Sequence, residues 1–264
     1  MTTNYQTGGG SQVKQTDYSY WTSEGYPLLQ TKTDYLQNGD TLRTHYCYSF
    51  NAHSDFVLGL SSTQAGWLTT LLADKYFQPL EVTTTVTPSG SSSPIFVEGY
   101  KYCFAYYNSS KPHVSTIIHY TALTDSIVTN LSNYDTYGNL TEQYKNYDKH
   151  EIYLWGYNGQ YPVAKITGSN YSTVSGYVTN SVLQNPSSDA ALRTQINNIR
   201  TAVPLAQVTT YTYSPGIGIT SETDPSGITT YYDYDVFGRL LHIRDQDNHI
   251  LKKFNYNYYN SSTP

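Results

Sequence analysis

The feature that most constrains this chain is a unit read from Tyr231 to Tyr256, YYDYDVFGRLLHIRDQDNHILKKFNY. A Tyr-Asp strand (Tyr231–Asp235) enters a turn at Val236-Phe237-Gly238. A second strand, Arg239 to Arg244, reaches a polar turn at Asp245-Gln246-Asp247-Asn248, and a third runs from Ile250 to Tyr256. Apolar or aromatic residues at alternate positions give each strand one stripe per face. Gly238 and Asn248 stand where a tight reversal needs a positive φ, which Gly accepts freely and Asn better than most residues.

The unit recurs. Tyr134-Asp135-Thr136-Tyr137-Gly138-Asn139-Leu140 repeats Tyr234-Asp235-Val236-Phe237-Gly238-Arg239-Leu240 nearly position for position, and Tyr157 lies 23 residues beyond Tyr134. Ile217–Thr223 pairs across Asp224-Pro225-Ser226-Gly227 with Ile228–Tyr234, and 245 − 224 = 21 residues separate Asp224 from Asp245. Earlier, Leu28–Tyr35 and Thr41–Phe50 flank Gln37-Asn38-Gly39-Asp40, and Asn-Gly between alternating runs signals a hairpin. Repetition at this interval predicts stacked supersecondary units sharing a core.

Composition agrees with strands. Tyr numbers 30 against 7 Phe and 3 Trp, and charged residues make up only 13%. Aromatic and β-branched side chains suit a pleated, half-buried surface, and Tyr keeps a hydroxyl that must be bonded or wet. The expected fold is all-β, with repeated antiparallel hairpins in a long curved or spiral sheet. Two helical insertions interrupt it. One lies near residues 61–77, with Trp67, Leu68, Leu71, Leu72 and Tyr76 at helical spacing and Trp67 and Leu71 packed onto a sheet. The other lies near 187–202, with Leu192, Ile196 and Ile199 on one face. Residues 1–16 are expected as a linker because of Gly8-Gly9-Gly10-Ser11, residues 17–256 as one repeat region, and 257–264 as a tail.

The function classes narrow by chemistry. Net charge is −5 with no Lys/Arg cluster, which disfavours nucleic acid as a partner. No apolar run approaches the ~20 residues of a spanning helix, and the first ten residues lack the basic and apolar regions of a signal peptide. His45, His53, His113, His119, His150, His242 and His249 are dispersed, with no His-x-x-x-His pair and no metal-ligand spacing. Asp233 and Asp235 read as ladder or turn residues rather than paired catalytic carboxylates, and Asp245–Asn248 as an Asx-rich turn rather than a calcium loop. No catalytic, cofactor or metal residue is assigned, and no cofactor is expected. Cys47 and Cys103 sit in aromatic strands as buried thiols or as one bridge. Tyr231, Tyr232, Tyr256, Tyr258 and Tyr259 are read as ladder residues.

Tyr234-Asp235-x-x-Gly238-Arg239-Leu240 with Asp245 and Asn248, and Tyr134-Asp135-x-x-Gly138-Asn139-Leu140, resemble the YD repeat of the RHS family of large bacterial surface and secreted proteins. Trp155–Ile166 and Val208–Tyr213 are similar to a Bacteroidota-type branch of that family. The resemblance covers roughly Asn133 to Tyr256. It implies a ribbon of hairpins spiralling into a strip or shell. It also implies a C-terminal fragment of a longer exported protein, with the rest of that polypeptide as partner; a Tyr-rich face with Asn, Gln and Thr between the rings is the alternative, a carbohydrate- or protein-binding adhesin module with glycans or surface proteins as partners. It makes Tyr134, Asp135, Gly138, Asn139, Tyr157, Asp224, Gly227, Tyr234, Asp235, Gly238, Arg239, Asp245 and Asn248 structural motif residues. Asp40-Thr41-Leu42 and Asp125-Ser126-Ile127 resemble an O-glycosylation sequon of that bacterial group. Toxin-delivering members carry an Asp-Pro-Gly-rich self-cleavage core before a toxin; here Asp224-Pro225-Ser226-Gly227 reads as a repeat turn, and no cargo is expected after Tyr256.

Overall fold

The computed structural model describes residues 2–7, 10–22, 25, 27–51, 55–107 and 111–256, with side chains from residue 15 onward. The expected tail at 257–264, together with His53, Tyr258 and Tyr259, lies outside the described residues. The chain divides into two compact units, Met1–Ser132 and Asn133–Pro264.

The first unit is a succession of antiparallel strands, each paired with the next in sequence: β1 (Thr2–Thr7), β2 (Gly10–Trp21), β3 (Leu28–Tyr35), β4 (Thr41–Cys47), β5 (Glu81–Thr87), β6 (Ile95–Tyr106), β7 (Pro112–Ala122) and β8 (Asp125–Tyr134). The backbone of β1 and the first part of β2 occupies the stretch read as a linker. Helix α1 (Ser62–Ala73) follows β4. Its start is fixed by a capping box: Ser61 Oγ accepts from Gln64 N–H while Gln64 Oε1 accepts from Ser61 N–H. Leu68 and Leu71 point into a core with Cys47, Phe56, Leu80 and Phe104, and Trp67 packs at its margin.

The second unit continues the pattern with β9 (Leu140–Lys145), β10 (Glu151–Gly156), β11 (Tyr161–Thr167), β12 (Gln207–Ser214), β13 (Gly218–Thr223), β14 (Thr229–Tyr234), β15 (Leu240–Arg244) and β16 (Ile250–Lys253), again paired in order. Between β11 and β12 the chain forms α2 (Tyr171–Ser175), α3 (Asn180–Gln184) and α4 (Asp189–Ala202). One helix is expected here from periodicity. The other two are five residues each, too short to display a helical stripe, and α2 is marked only by the Asn170 cap on Thr173 N–H. Leu192, Ile196 and Ile199 of α4 are fully buried against Ile152, Val163, Ile166 and Val208 of the sheet. Both units thus bury apolar surface under a helical cover, at roughly 25 cal/mol per Å² of apolar area removed from water.

Two glycines make this packing testable. A Cβ on Gly156 would stand 2.5 Å from the Leu183 carbonyl oxygen and 2.7 Å from Val163 Cγ1, so α3 sits on the sheet only because this position is bare. Gly66, in the middle of α1 and exposed, has nothing within 4 Å of its ideal Cβ. In urea unfolding, Gly156→Ala is expected to destabilise by about 1–3 kcal/mol. Gly66→Ala is expected to stabilise by about 0.5–1 kcal/mol.

Candidate functional site

The repeat-motif residues converge on one recurring turn. At Asp135, Asp224, Asp235 and Asp245 the backbone N–H of the Asp donates to the carbonyl four residues on, and the N–H three residues on donates back to the Asp carbonyl. Leu36 begins the same two-bond reversal, closing on Asp40 and Gly39. The fourth residue always has a positive φ: 85° at Gly39, 87° at Gly138, 86° at Gly227, 73° at Gly238 and 66° at Asn248. This is the hairpin loop in which a left-handed residue completes a bulge and matches the twist of the strands.

The Asp side chain satisfies donors that the reversal leaves over. Asp235 Oδ1 accepts from Phe237 and Arg239 N–H at 2.8 and 3.0 Å, and Asp135 Oδ1 from Tyr137 and Asn139 N–H at 2.9 and 2.8 Å. Asp245 Oδ1 accepts from Asp247 and His249 N–H at 2.9 and 2.8 Å, and Asp224 Oδ1 from Ile228 N–H at 2.9 Å. The second carboxylate oxygen takes whichever donor occupies the fifth position. Arg239 Nε lies 2.6 Å from Asp235 Oδ2, Asn139 Nδ2 3.1 Å from Asp135 Oδ2, and His249 Nδ1 3.0 Å from Asp245 Oδ2. Hydrogen bonding to Arg239 holds the Asp235 carboxyl below its usual range.

An aromatic latch accompanies the turns. Trp155 Nε1 donates to Leu140 O, Tyr234 Oη to Ile219 O and Tyr256 Oη to Leu240 O, at 2.8, 2.9 and 2.9 Å. Tyr134 is itself buried, at the end of β8. Tyr157, with φ 51°, opens the β10–β11 reversal; its hydroxyl accepts from Tyr213 N–H at 3.0 Å, and its ring meets Tyr161 and Tyr213 edge-on. Tyr231 and Tyr232 are half-buried on β14.

The remaining polar candidates are engaged individually. Asp233 holds Arg244 through two contacts, Oδ2–Nε at 2.5 Å and Oδ1–Nη2 at 2.9 Å. His119 contacts Glu98 at 3.3 Å and His150 contacts Glu142 at 2.7 Å. Asp245, Asp247 and His249 bring ligand atoms within 4.8 Å of one another, but two of the three are exposed and Asp245 Oδ1 already serves two amides. Cys47 and Cys103 are both free thiols. Cys47 lies 3.5 Å from His45 Nδ1, yet burial pushes its thiol far up, the opposite of what an activated nucleophile needs.

The most perturbed carboxyl was invisible in the sequence. Glu81 opens β5 at 0% exposure, directly opposite Cys47 on β4 and Lys101 on β6. Its oxygens accept from Val57 and Leu58 N–H at 2.7 and 3.0 Å, while Lys101 Nζ donates to Gly59 O at 2.5 Å. The pair clamps the segment leading into α1. Only the cross-strand register reveals it. Burial pushes Glu81 up to about 7, against the opposing pull of the two amides and Lys101.

A folded-state value above the ordinary 4.5 means that this contribution to stability is full below pH 4.5 and is lost as pH rises through about 7. The expected loss is on the order of 1–3 kcal/mol. Glu81→Gln should flatten that slope and lower stability at acid pH, where one backbone N–H loses its acceptor, with the deficit shrinking toward pH 8; urea unfolding from pH 4 to 8 measures both. At the turns, Gly238→Ala is expected to cost about 1–2 kcal/mol, because its φ forbids a Cβ more than its surroundings do. Asn248→Gly should be neutral or stabilising in the same assay.

The RHS Repeat family model matches residues 218–248, from the start of β13 through the Asp224, Asp235 and Asp245 turns. No curated protein matches the sequence. Among solved structures, the chain is similar to a TcdB2-TccC3 crystal structure (TM-score 0.46, 14% identity, 93% of this chain and 10% of that one). It is similar also to TcdB2-TccC3-Cdc42 (TM-score 0.44, 14% identity, the same two coverages). A third is a Photorhabdus luminescens Tc holotoxin pore (TM-score 0.38, 13% identity, 87% of this chain and 12% of that one). The chain therefore spans about a tenth of the length of these structures. Within its succession of Tyr-Asp hairpins, this chain carries an RHS repeat at residues 218–248.

Proposed function

We propose that the chain is a non-enzymatic structural module of a larger exported bacterial surface protein, with residues 17–256 acting as scaffold or shell wall. One observation carries this reading: the Asp, Gly, Asn and Arg residues of the motif are spent on the same backbone reversal wherever it recurs. Side chains committed to turn amides are poorly placed to do chemistry on a substrate. Among the described residues no helix is long and apolar enough to cross a membrane. The exported location rests on the family resemblance. The role of shell segment of a toxin stands third, behind the scaffold and an adhesin whose partners would be glycans or surface proteins.

A second reading, an adhesin module, draws on exposed rings: Tyr18 and Tyr20 on β2 are 44% and 52% exposed. Such rings stack on sugar faces or partner surfaces. Protease shaving of intact cells of the source bacterium should release peptides of this chain; recovery only after lysis would remove the surface assignment. On a glycan and surface-protein array the scaffold reading expects no saturable binding that depends on these rings. Binding abolished by Tyr18→Ala with Tyr20→Ala would replace it with the adhesin.

A further inference from the structure

The helical insertion of the second unit does more than cover the sheet. The buried stripe of α4 leaves Arg193, Asn197 and Arg200 along one flank, facing the β13–β14 hairpin across a groove of about 460 Å³. That volume falls in the range of small-ligand sites. The wall has no large aliphatic or aromatic residue, and its polar groups are the hydroxyls of Thr194, Thr223 and Thr229, the Asn197 amide and the two guanidinium groups.

Both cations are held in place by neutral acceptors. Arg193 Nη1 donates to Ser221 Oγ at 2.8 Å, and its guanidinium lies 5.3 Å from the centre of the Tyr231 ring. Arg200 spans the far end, its Nε on Asn197 Oδ1 at 3.1 Å and its two terminal nitrogens on the Pro225 and Thr223 carbonyls at 3.2 Å each. Among the described residues no carboxylate lies in ion-pair contact with either. Asp224 acts on Arg200 through space while its Oδ1 accepts from Ile228 N–H, and Asp189, one helical turn before Arg193, accepts from the Thr220 hydroxyl. Two fixed guanidinium groups beside an open groove, with no carboxylate in ion-pair contact, stand out in a chain of net charge −5.

We propose that this groove binds an acidic oligosaccharide, with one anionic substituent on Arg193, a second toward Arg200, and sugar hydroxyls on Thr194, Asn197 and Thr229 between them. The spacing selects the class. Seven residues of helix separate the arginines by roughly 10 Å along the axis, too far for one small anion to touch both. A row of hydroxyl and amide groups suits a polyhydroxylated chain, whereas a peptide would look for apolar subsites that the wall lacks. Carboxylate and sulfate esters share the recognition chemistry, because a planar guanidinium takes either through paired N–H bonds. The proposal is independent of the scaffold reading, since a structural module can carry a ligand groove and either can fail alone.

The test is calorimetric titration of the full chain at physiological ionic strength with tetragalacturonate, its methyl ester, a sulfated tetrasaccharide and tetraglutamate. The acidic sugar is expected to bind saturably and its neutral ester about tenfold more weakly or worse. Arg193→Gln and Thr194→Glu should each weaken binding by about tenfold or more, while Arg43→Gln, a charge-matched change on β4, leaves it unaltered. Thr194 is exposed on α4, so its variant keeps the fold, and the melting temperature confirms that for both. Tighter binding of the sulfated sugar would support the site and assign its anion. No binding, equal loss with Arg43→Gln, or tetraglutamate binding as tightly as the sugar would overturn it.

Discussion

A chain that reverses direction this often must settle the backbone donors at every bend, and one carboxylate oxygen does so at most of the reversals in the second unit. At each motif Asp, the backbone pair N–H(i)→O(i+4) and N–H(i+3)→O(i) sets the loop, and Oδ1 takes up amides inside it. The strands on either side inherit their register from that closure, because a five-residue loop fixes which residues face each other. Asp233 meets His242 and Tyr234 meets Leu240 across the Asp235 turn, with the irregularity confined to the step between them. The aromatic latches tie the adjoining pairs, Tyr234 of β14 to a carbonyl of β13 and Tyr256, just past β16, to a carbonyl of β15.

Local closure does not by itself make a stable sheet, since an isolated hairpin is marginal in water. Each unit therefore gathers its apolar surface under a helix, α1 in the first and α4 in the second. The two covers are attached differently. Helix α4 is held by its own buried stripe, with the arginines bridging to β13 and its turn. Helix α1 depends also on polar contacts just before it, where Glu81 and Lys101 grip the backbone at 57–59. A buried ionisable pair is costly unless its remaining hydrogen bonds are made, and here both partners make theirs to main chain.

The sequence disclosed the parts governed by short-range rules. Gly39, Gly138, Gly227, Gly238 and Asn248 fall at the left-handed position because few other residues tolerate it, and the Leu192-Ile196-Ile199 stripe was readable because it repeats every turn. What stayed hidden depends on register. Glu81, Cys47 and Lys101 are separated by tens of residues and become neighbours only when three strands align. Helices α2 and α3 carry too few residues for a period to show, and the strands before residue 17 were masked by a glycine run that looks like a linker. The groove beside α4 was unreadable for the same reason: Arg193 and Arg200 are adjacent in pattern, but their opposite wall comes from residues 221 to 229.

The turn geometry makes demands on its first, fourth and fifth residues and almost none on the second and third. At the Asp235 turn these are Val236 and Phe237, 94% and 78% exposed, and the matching Tyr137 is 54% exposed. Their backbones are held from behind while their side chains stay outside the buried cores, Phe237 beside the Arg239 guanidinium and Tyr137 over Gly159. A position such as Val236 is therefore open to diversification: a lineage can rewrite the outward face of that bend, from aliphatic to charge to small residue, without renegotiating the frame beneath.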